Sequence, residues 1–232
     1  MMKPRLIIIV RHGESEANCD KSVNGHTQNH MVLLTSRGRT QAKEAGEEIA
    51  QMIRPGENVR VYRSPYMRTR QTEEEIRLVL RNHGIKPSVI EEPRLREQDF
   101  GNFQNAQRMT DIMKERSIYG SFFYRIFNGE SAADVYDRCA SFCNSLYRHF
   151  TIHEPDVVIL VSHGIWGRVF LMKWFKWNYE YFENLKNLQH CVPIVMERKD
   201  SHYALLSDLE TWEDQQPTSS TNKGTSPDIT TI

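Results

Sequence analysis

The chain of 232 residues has little cysteine, no net charge and no long hydrophobic run. Cys19, Cys139, Cys143 and Cys191 are too few and too scattered for a disulfide scaffold, so we expect free thiols in a reducing compartment and no metal site. Thirty basic residues balance thirty acidic ones, which argues against nucleic acid or an anionic membrane as the main partner. The first apolar run is too short for a signal peptide or a membrane span. We therefore expect a cytoplasmic protein.

Near the start of the chain, an apolar strand ends abruptly in polar residues. Residues 6–10 are apolar throughout, a pattern typical of a parallel strand that is buried on both faces. Arg11, His12 and Gly13 follow directly. Open α/β sheets bind ligands at the carboxyl ends of their strands, so we expect Arg11 and His12 to face a binding crevice. A cation beside an imidazole predicts an anion site, with phosphate as the favoured anion.

A second apolar strand repeats this arrangement late in the chain. Residues 157–161 are again apolar and lead into Ser162, His163 and Gly164. A helix follows, and the N–H groups of a first helical turn favour an anion. If the two strands are neighbours in the sheet, His12 and His163 come together, and parallel crossovers make that possible. A single histidine is more often structural, whereas two at matching strand ends favour catalysis.

Between and after these strands, helical and strand patterns alternate, which predicts one α/β domain over residues 1–212. Ser64 and Pro65 resemble the start of a helix, with serine as the cap and proline in the first turn. The polar residues 213–232 show no apolar periodicity and predict a disordered tail. Other helices are predicted near 36–53, 104–116, 132–150, 165–174 and 179–184, and other strands near 59–62, 87–90, 192–197 and 203–206, the last two as an antiparallel edge.

An aromatic run from Tyr119 to Phe127 fits neither the helical nor the strand period. It is either a lid over an organic substrate or a segment that packs against the sheet. The residues alone leave both alternatives open.

Five short motifs follow one another in a characteristic order. In that order, over about residues 5 to 206, they resemble the histidine phosphatase superfamily in its phosphoglycerate mutase-like branch. The resemblance implies a three-layer α/β fold with a mostly parallel sheet and helices on both faces. The motifs are Arg11-His12-Gly13-Glu14-Ser15 with Asn18, Ser64 with Arg68 and Thr72, Leu95-Arg96-Glu97 with Gly101, Gly129-Glu130-Ser131 with Asp134 and Arg138, and Ser162-His163-Gly164.

The resemblance also implies roles for the residues at these positions. His12 is the implied nucleophile, which forms a phosphohistidine through a neutral ring nitrogen. Arg11, Arg68 and His163 surround the transferring phosphoryl group and supply the positive charge that metals supply elsewhere, so no metal or cofactor is implied. Asn18 is expected to bind the phosphate or the substrate. Arg70, two positions after Arg68, is expected to face solvent instead.

Glu97 matches the proton donor of the family. That role requires a protonated carboxyl group near neutral pH, which partial burial or a neighbouring negative charge would favour. Glu14, Glu91 and Glu92 are rival carboxylates, and motif position favours Glu97.

Three functions are compatible with these residues. The preferred one is a metal-independent, acid phosphatase-like phosphomonoesterase that acts on a small-molecule phosphomonoester. The alternative is a phosphoglycerate mutase or a sugar-bisphosphatase with the same nucleophile. The segment from Phe103 to Asn128 is shorter than in the mutases and poor in basic residues, which favours the phosphatase. A third possibility is a protein that binds phosphate without turnover. The sequence leaves the substrate and the oligomeric state open.

Overall fold

A computed structural model describes residues 3–101 and 106–212 of the chain. These residues form one mixed sheet of six strands. The strands are β1 (Leu6–Arg11), β2 (Val59–Arg63), β3 (Ser88–Glu91), β4 (Val157–Ser162), β5 (Ile194–Lys199) and β6 (His202–Leu205). Their order in the sheet is β3-β2-β4-β1-β5-β6. The pairs from β3 to β1 are parallel, whereas β5 and β6 pair antiparallel at the other edge, as predicted.

Helices cover both faces of this sheet. They are α1 (Glu16–Cys19), α2 (Ser36–Met52), α3 (Met67–Asn82), α4 (Ala106–Tyr119), α5 (Ala132–His153), α6 (Gly164–Phe175) and α7 (Tyr179–Asn184). Apolar residues of α2 and α3 pack on one face of the sheet, and those of α5 and α6 pack on the other. The three-layer α/β fold is therefore confirmed.

The side chains of β1 show why that strand is apolar throughout. Leu6, Ile8 and Val10 belong to the core beneath α2 and α3, whereas Ile7 and Ile9 belong to the core beneath α5 and α6. Successive side chains of a strand point to opposite faces, so a sheet covered on both faces needs an apolar residue at every position. Each such side chain contributes about 2 kcal/mol of hydrophobic stabilisation.

The two strands that carry a histidine at the carboxyl end are direct neighbours. β1 and β4 pair in parallel, with Arg11 opposite Ser162. The His12 backbone N–H extends the pairing by donating to the Ser162 carbonyl oxygen, at 2.9 Å. His12 and His163 therefore leave the same edge of the sheet side by side.

The predicted starts of two helices, α3 and α4, compare differently with the structure. Helix α3 starts at Met67 with Tyr66 as its N-cap, so the prediction that Ser64 and Pro65 begin this helix is wrong. The Ser64 hydroxyl is bonded to His163 instead. The predicted start of the next helix at Gln104 lies outside the described residues.

The aromatic run divides into a packed part and an exposed part. Phe122 is buried, with its ring centroid 5.3 Å from that of Phe182 in α7. Ile126 is fully buried, whereas more than half of the surface of Phe123 and of Phe127 is exposed. The run thus packs in part, and its packing partner includes α7.

The sequence also predicted free thiols, a disordered tail and the absence of a membrane span. No helix in the described part of the chain combines the length and apolar character that a bilayer crossing requires. All four cysteines are free thiols, and Cys19 is the exposed one among them. The predicted tail over 213–232 lies outside the described residues, so the domain boundary at residue 212 stays a prediction.

Candidate active site

The ring of His12 is held in one tautomer by its own loop. His12 is 5% exposed and lies just beyond β1. Its Nδ1 lies 2.7 Å from the Gly13 carbonyl oxygen, which can only accept, so Nδ1 carries the proton. The lone pair of the neutral ring is then on Nε2, and the Arg68 Nε–H donates to it at 3.2 Å. Nε2 is therefore the nitrogen available for nucleophilic attack.

The backbone around His12 approaches the start of α2 closely. A Cβ atom on Gly13 would lie 2.3 Å from the Gly38 carbonyl oxygen, and one on Gly38 would lie 2.1 Å from the Glu14 carbonyl oxygen. The Gly13 N–H also donates to Thr72 Oγ1 in α3, at 3.1 Å. Glycine at both positions is what lets the loop rest directly on the helix.

The ring of His163 lies directly beside that of His12. His163 is the N-cap residue of α6 and is fully buried. The centroids of the two imidazole rings are 5.2 Å apart, and the rings meet edge to face. His163 Nε2 lies 2.8 Å from Ser64 Oγ, whereas its Nδ1 has no hydrogen-bond partner in the described part of the chain. The structure thus brings the two histidines together.

The buried Arg68 and the partly buried Arg11 provide positive charge beside these rings. Arg68 lies in the first turn of α3, and its Nη1 donates to the Asn29 carbonyl oxygen at 2.6 Å. The Nη1 of Arg11 donates to the Leu188 carbonyl oxygen at 2.6 Å. Burial lowers the pKa of both groups, that of Arg68 to about 10. Two desolvated guanidinium groups next to neutral imidazoles favour binding of an anion.

Glu97 lies against the first turn of α6. Its carboxylate accepts hydrogen bonds from the backbone N–H groups of Ile165 and Trp166, each at 3.2 Å, and from that of Gln98 at 3.0 Å. The first turn of α6 was predicted to favour an anion, and in the structure its N–H groups bond to the Glu97 carboxylate. Glu97 therefore lies beside His163, although 66 positions separate them.

Two rival carboxylates bind arginines away from the histidines. Glu91 accepts from Arg70 at 2.8 Å, and Glu92 accepts from Arg94 at 2.7 Å. Arg70 is partly exposed, as expected for a surface arginine.

Glu14 and Asn18, the two candidates that follow His12 in sequence, both bond to nearby hydroxyl groups. Glu14 accepts from the Thr35 hydroxyl at 2.9 Å. Asn18 is exposed, and its Oδ1 accepts from the Ser15 backbone N–H at 3.0 Å and from the Ser15 hydroxyl at 2.7 Å. Asn18 thus lies in α1 and is bonded to Ser15, and its role in substrate binding stays a prediction.

The segment before β5, which the sequence did not single out, bonds to the backbone of Arg11 at the end of β1 and of His12 just beyond it. The Nδ1–H of His190 donates to the His12 carbonyl oxygen at 2.7 Å, and the two rings lie 5.4 Å apart. The Cys191 N–H donates to the Arg11 carbonyl oxygen at 3.0 Å. The sole sequence signal was a histidine just before a predicted strand, which is too common to indicate a site.

The environment of the site keeps both facing histidines neutral. Burial, reinforced by Arg68, lowers the pKa of His12 and of His163 well below the ordinary value. For His12 the nearby Arg11 acts in the same direction. The Nε2 lone pair of His12 therefore stays unprotonated in mildly acidic solution.

These two buried histidines predict that the ligand-free protein loses stability in acid. Between the lowered pKa values of the folded protein and the ordinary histidine pKa of about 6.5, the unfolded chain binds protons that the folded chain does not. The free energy of unfolding therefore decreases as the pH is lowered through this range. We expect a loss of up to about 1.4 kcal/mol per pH unit for each histidine below pH 6.5. Urea unfolding between about pH 5 and pH 7 measures this slope. His163→Gln should reduce the slope, and an unchanged slope would contradict the prediction.

Comparison with known proteins agrees with this geometry. The family model described as histidine phosphatase superfamily (branch 1) matches residues 7–209. The broad-range acid phosphatase DET1 of Saccharomyces cerevisiae is 36% identical over an alignment 305 positions long, which covers 91% of this chain and 91% of that protein. The phosphoglycerate mutase-like protein AT74 of Arabidopsis thaliana is 48% identical over 208 residues, which span 84% of this chain and 65% of that protein.

A solved structure shows the same fold. The mycobacterial glucosyl-3-phosphoglycerate phosphatase Rv2419c, in complex with VO3, superposes with a TM-score of 0.68 at 22% identity. The match covers 88% of this chain and 98% of that one. Motifs, fold and family model agree, and the chain belongs to the histidine phosphatase superfamily, branch 1.

Proposed function

We propose that this chain hydrolyses small-molecule phosphate monoesters through a covalent phosphohistidine at Nε2 of His12. The observation that carries the proposal is the bond from His12 Nδ1–H to the Gly13 carbonyl oxygen, because it leaves the ring lone pair on Nε2, beside Arg68 and His163. The broad-range acid phosphatase activity named for the yeast relative supports the same reaction.

The reaction takes two steps. The Nε2 lone pair of His12 attacks phosphorus, the P–O ester bond breaks, and the leaving oxygen takes the proton of the Glu97 carboxyl group. Glu97, now a carboxylate, then removes a proton from a water molecule, whose oxygen attacks phosphorus. The N–P bond breaks, its electron pair returns to Nε2, and inorganic phosphate leaves. Glu97 is protonated again at the end of the cycle.

The charges around His12 and His163 match one phosphate dianion. Arg11 and Arg68 contribute two positive charges, and both histidines are neutral. One dianionic phosphoryl group neutralises this pair.

Three other arginines of this region bond to groups of the chain itself. Arg168 in α6 donates to the Leu185 carbonyl oxygen at 2.6 Å, and Arg116 is buried, with Nη2 3.3 Å from the Ser121 carbonyl oxygen. Arg125 is paired with Asp134 at the surface. A mutase must hold a second acidic group of its substrate, and the short, base-poor segment from Phe103 to Asn128 supports the phosphatase instead.

Phosphate release from a panel of monoesters tests the proposal against its alternatives. We expect release from aryl and alkyl phosphates, inhibition by vanadate and no effect of chelators. In the described part of the chain no three side chains of His, Cys, Asp or Glu form a metal-binding group. Phosphoglycerate interconversion faster than release would favour the mutase, and phosphate binding without turnover would favour a binding protein. The cytoplasmic location stays a prediction from the sequence.

Glu97→Gln should separate substrates by their leaving groups. For alkyl phosphates, whose leaving oxygen needs a proton, we expect kcat/KM to fall about 10²- to 10⁴-fold. For p-nitrophenyl phosphate the leaving group needs little protonation, so kcat/KM should change far less. Its kcat should still fall because the second step loses its base. A rapid burst of nitrophenol followed by slow turnover is the expected time course.

Glu91→Gln is the matched control, because Glu91 carries the same side chain on a surface ion pair with Arg70. It should leave the ratio of alkyl to aryl activity unchanged. An equal loss on both substrate classes in Glu97→Gln would remove Glu97 from the role of proton donor.

A further inference from the structure

The buried ring of His163 has one bonded and one unbonded nitrogen. Nε2 lies 2.8 Å from Ser64 Oγ, and Nδ1 is buried without a hydrogen-bond partner among the described residues. Buried polar atoms in folded proteins are nearly always paired, so an unpaired ring nitrogen beside a candidate phosphate site calls for a ligand. What this nitrogen can do depends on whether it carries a proton.

The hydrogen bonds of Ser64 decide that question. Ser64 is fully buried, and its Oγ already accepts, at 3.4 Å, from the backbone N–H of Tyr66. Its hydroxyl proton needs an acceptor, and His163 Nε2 is at hydrogen-bond distance. If Nε2 carried the ring proton instead, both the hydroxyl proton and the Nδ1 lone pair would be buried without a partner. Donation from Ser64 to Nε2 leaves one unpaired group rather than two, so it is the favoured arrangement.

We propose that Ser64 is a positioning residue that keeps the proton of His163 on Nδ1, so that this N–H donates to an oxygen of the transferring phosphoryl group. The identity of that ligand rests on the proposed function. The opposite tautomer would set a nitrogen lone pair against a phosphoryl oxygen and repel it. Ser64 thus acts on the reaction through His163 and does not itself touch the phosphate.

The charged groups around His163 explain why the tautomer matters. Arg68 comes from α3, His12 and Arg11 come from the end of β1, and Arg138 comes from α5. Burial first, and then these neighbours, lower the pKa of His163 well below its ordinary value. A neutral imidazole can donate from one nitrogen only, whereas an imidazolium could donate from both.

Nitrogen NMR of the full-length protein, labelled with ¹⁵N-histidine, reports the tautomer directly. His163→Gln assigns the signals of His163 by their loss. With inorganic phosphate as the ligand, we expect a protonated Nδ1 and an unprotonated Nε2 from about pH 5.5 to about pH 8. A proton on Nε2 under these conditions, in either the neutral or the charged ring, would overturn the proposal. This measurement needs no change at Ser64.

Two variants of Ser64 test its part in setting the tautomer. Ser64→Ala should give a mixture of tautomers and weaken inorganic phosphate binding about tenfold or more. Ser64→Thr keeps the hydroxyl and should restore most of the Nδ1–H tautomer and most of the phosphate affinity. Ser162→Ala is the control, because Ser162 is an equally buried serine whose hydroxyl bonds to the Leu95 carbonyl oxygen. It should leave the His163 tautomer unchanged.

The outcomes separate this inference from the proposed function. If Ser64→Ala leaves the tautomer and the phosphate affinity as they were, Ser64 is not the positioning residue. If the protein releases no phosphate from any ester, but phosphate still binds and the tautomer depends on Ser64, the proposed function fails and the inference stands.

Discussion

His12→Ala is expected to lower kcat by at least about 10⁴-fold on every phosphate monoester, because no covalent intermediate can form without Nε2. The remaining cations would still bind the substrate, so KM should change much less than kcat. Rapid mixing with a ³²P-labelled monoester, followed by an alkaline quench that preserves phosphohistidine, should label the unmodified protein and leave the His12→Ala variant unlabelled.

His26→Ala is the matched control, since His26 is an exposed histidine in the loop after the nucleophile. We expect it to be labelled normally. If His12→Ala keeps more than about 1% of the activity, another nucleophile must act, and His163 and His190 are the histidine rings next to it.

Arg68→Lys is expected to lower kcat/KM about 10³-fold although it retains the positive charge. In the ligand-free site the Arg68 side chain spans His12 Nε2 and the Asn29 carbonyl oxygen through two different nitrogens. A planar guanidinium can likewise donate to two phosphoryl oxygens at once, and a lysine ammonium cannot reproduce that spacing. Affinity for vanadate should fall together with kcat/KM, because vanadate mimics the transferring group.

Arg70→Lys provides the comparison at a position two residues away. Arg70 is partly exposed and pairs with Glu91, so its replacement should change kcat/KM by less than about threefold. Thermal unfolding of both variants shows whether the Arg68 effect comes from a damaged fold. Similar losses in both variants would contradict a special requirement for the Arg68 guanidinium, because Arg70 does not contact His12 or His163.

The sequence predicted the meeting of His12 and His163 because their strands share one pattern. A run of apolar residues that ends in a histidine and a glycine marks the carboxyl end of a buried parallel strand, and two such ends meet when the strands are neighbours. The pairing of β1 with β4 supplied the fact that the pattern alone lacked.

The hydrogen bonds that hold the site residues in place could not be predicted in the same way. The bonds of Glu97 to the first turn of α6, of Ser64 to His163 and of His190 to the His12 carbonyl join positions that are far apart in sequence. Each depends on how loops leave the sheet, and no local periodicity encodes that. The start of α3 was mispredicted for a related reason, since the Ser64 hydroxyl that suits a helix cap is used by His163.

The contact between Gly13 and Gly38 has a consequence for engineering. Since these two backbones touch without any side chain between them, the reactive nitrogen takes its position from the amino end of α2. Tags, inserted domains or new chain termini should therefore avoid that end of the helix. The opposite end offers a safer place at Gly56, which is exposed and where an added Cβ would meet nothing within 4 Å, provided that its left-handed backbone is kept.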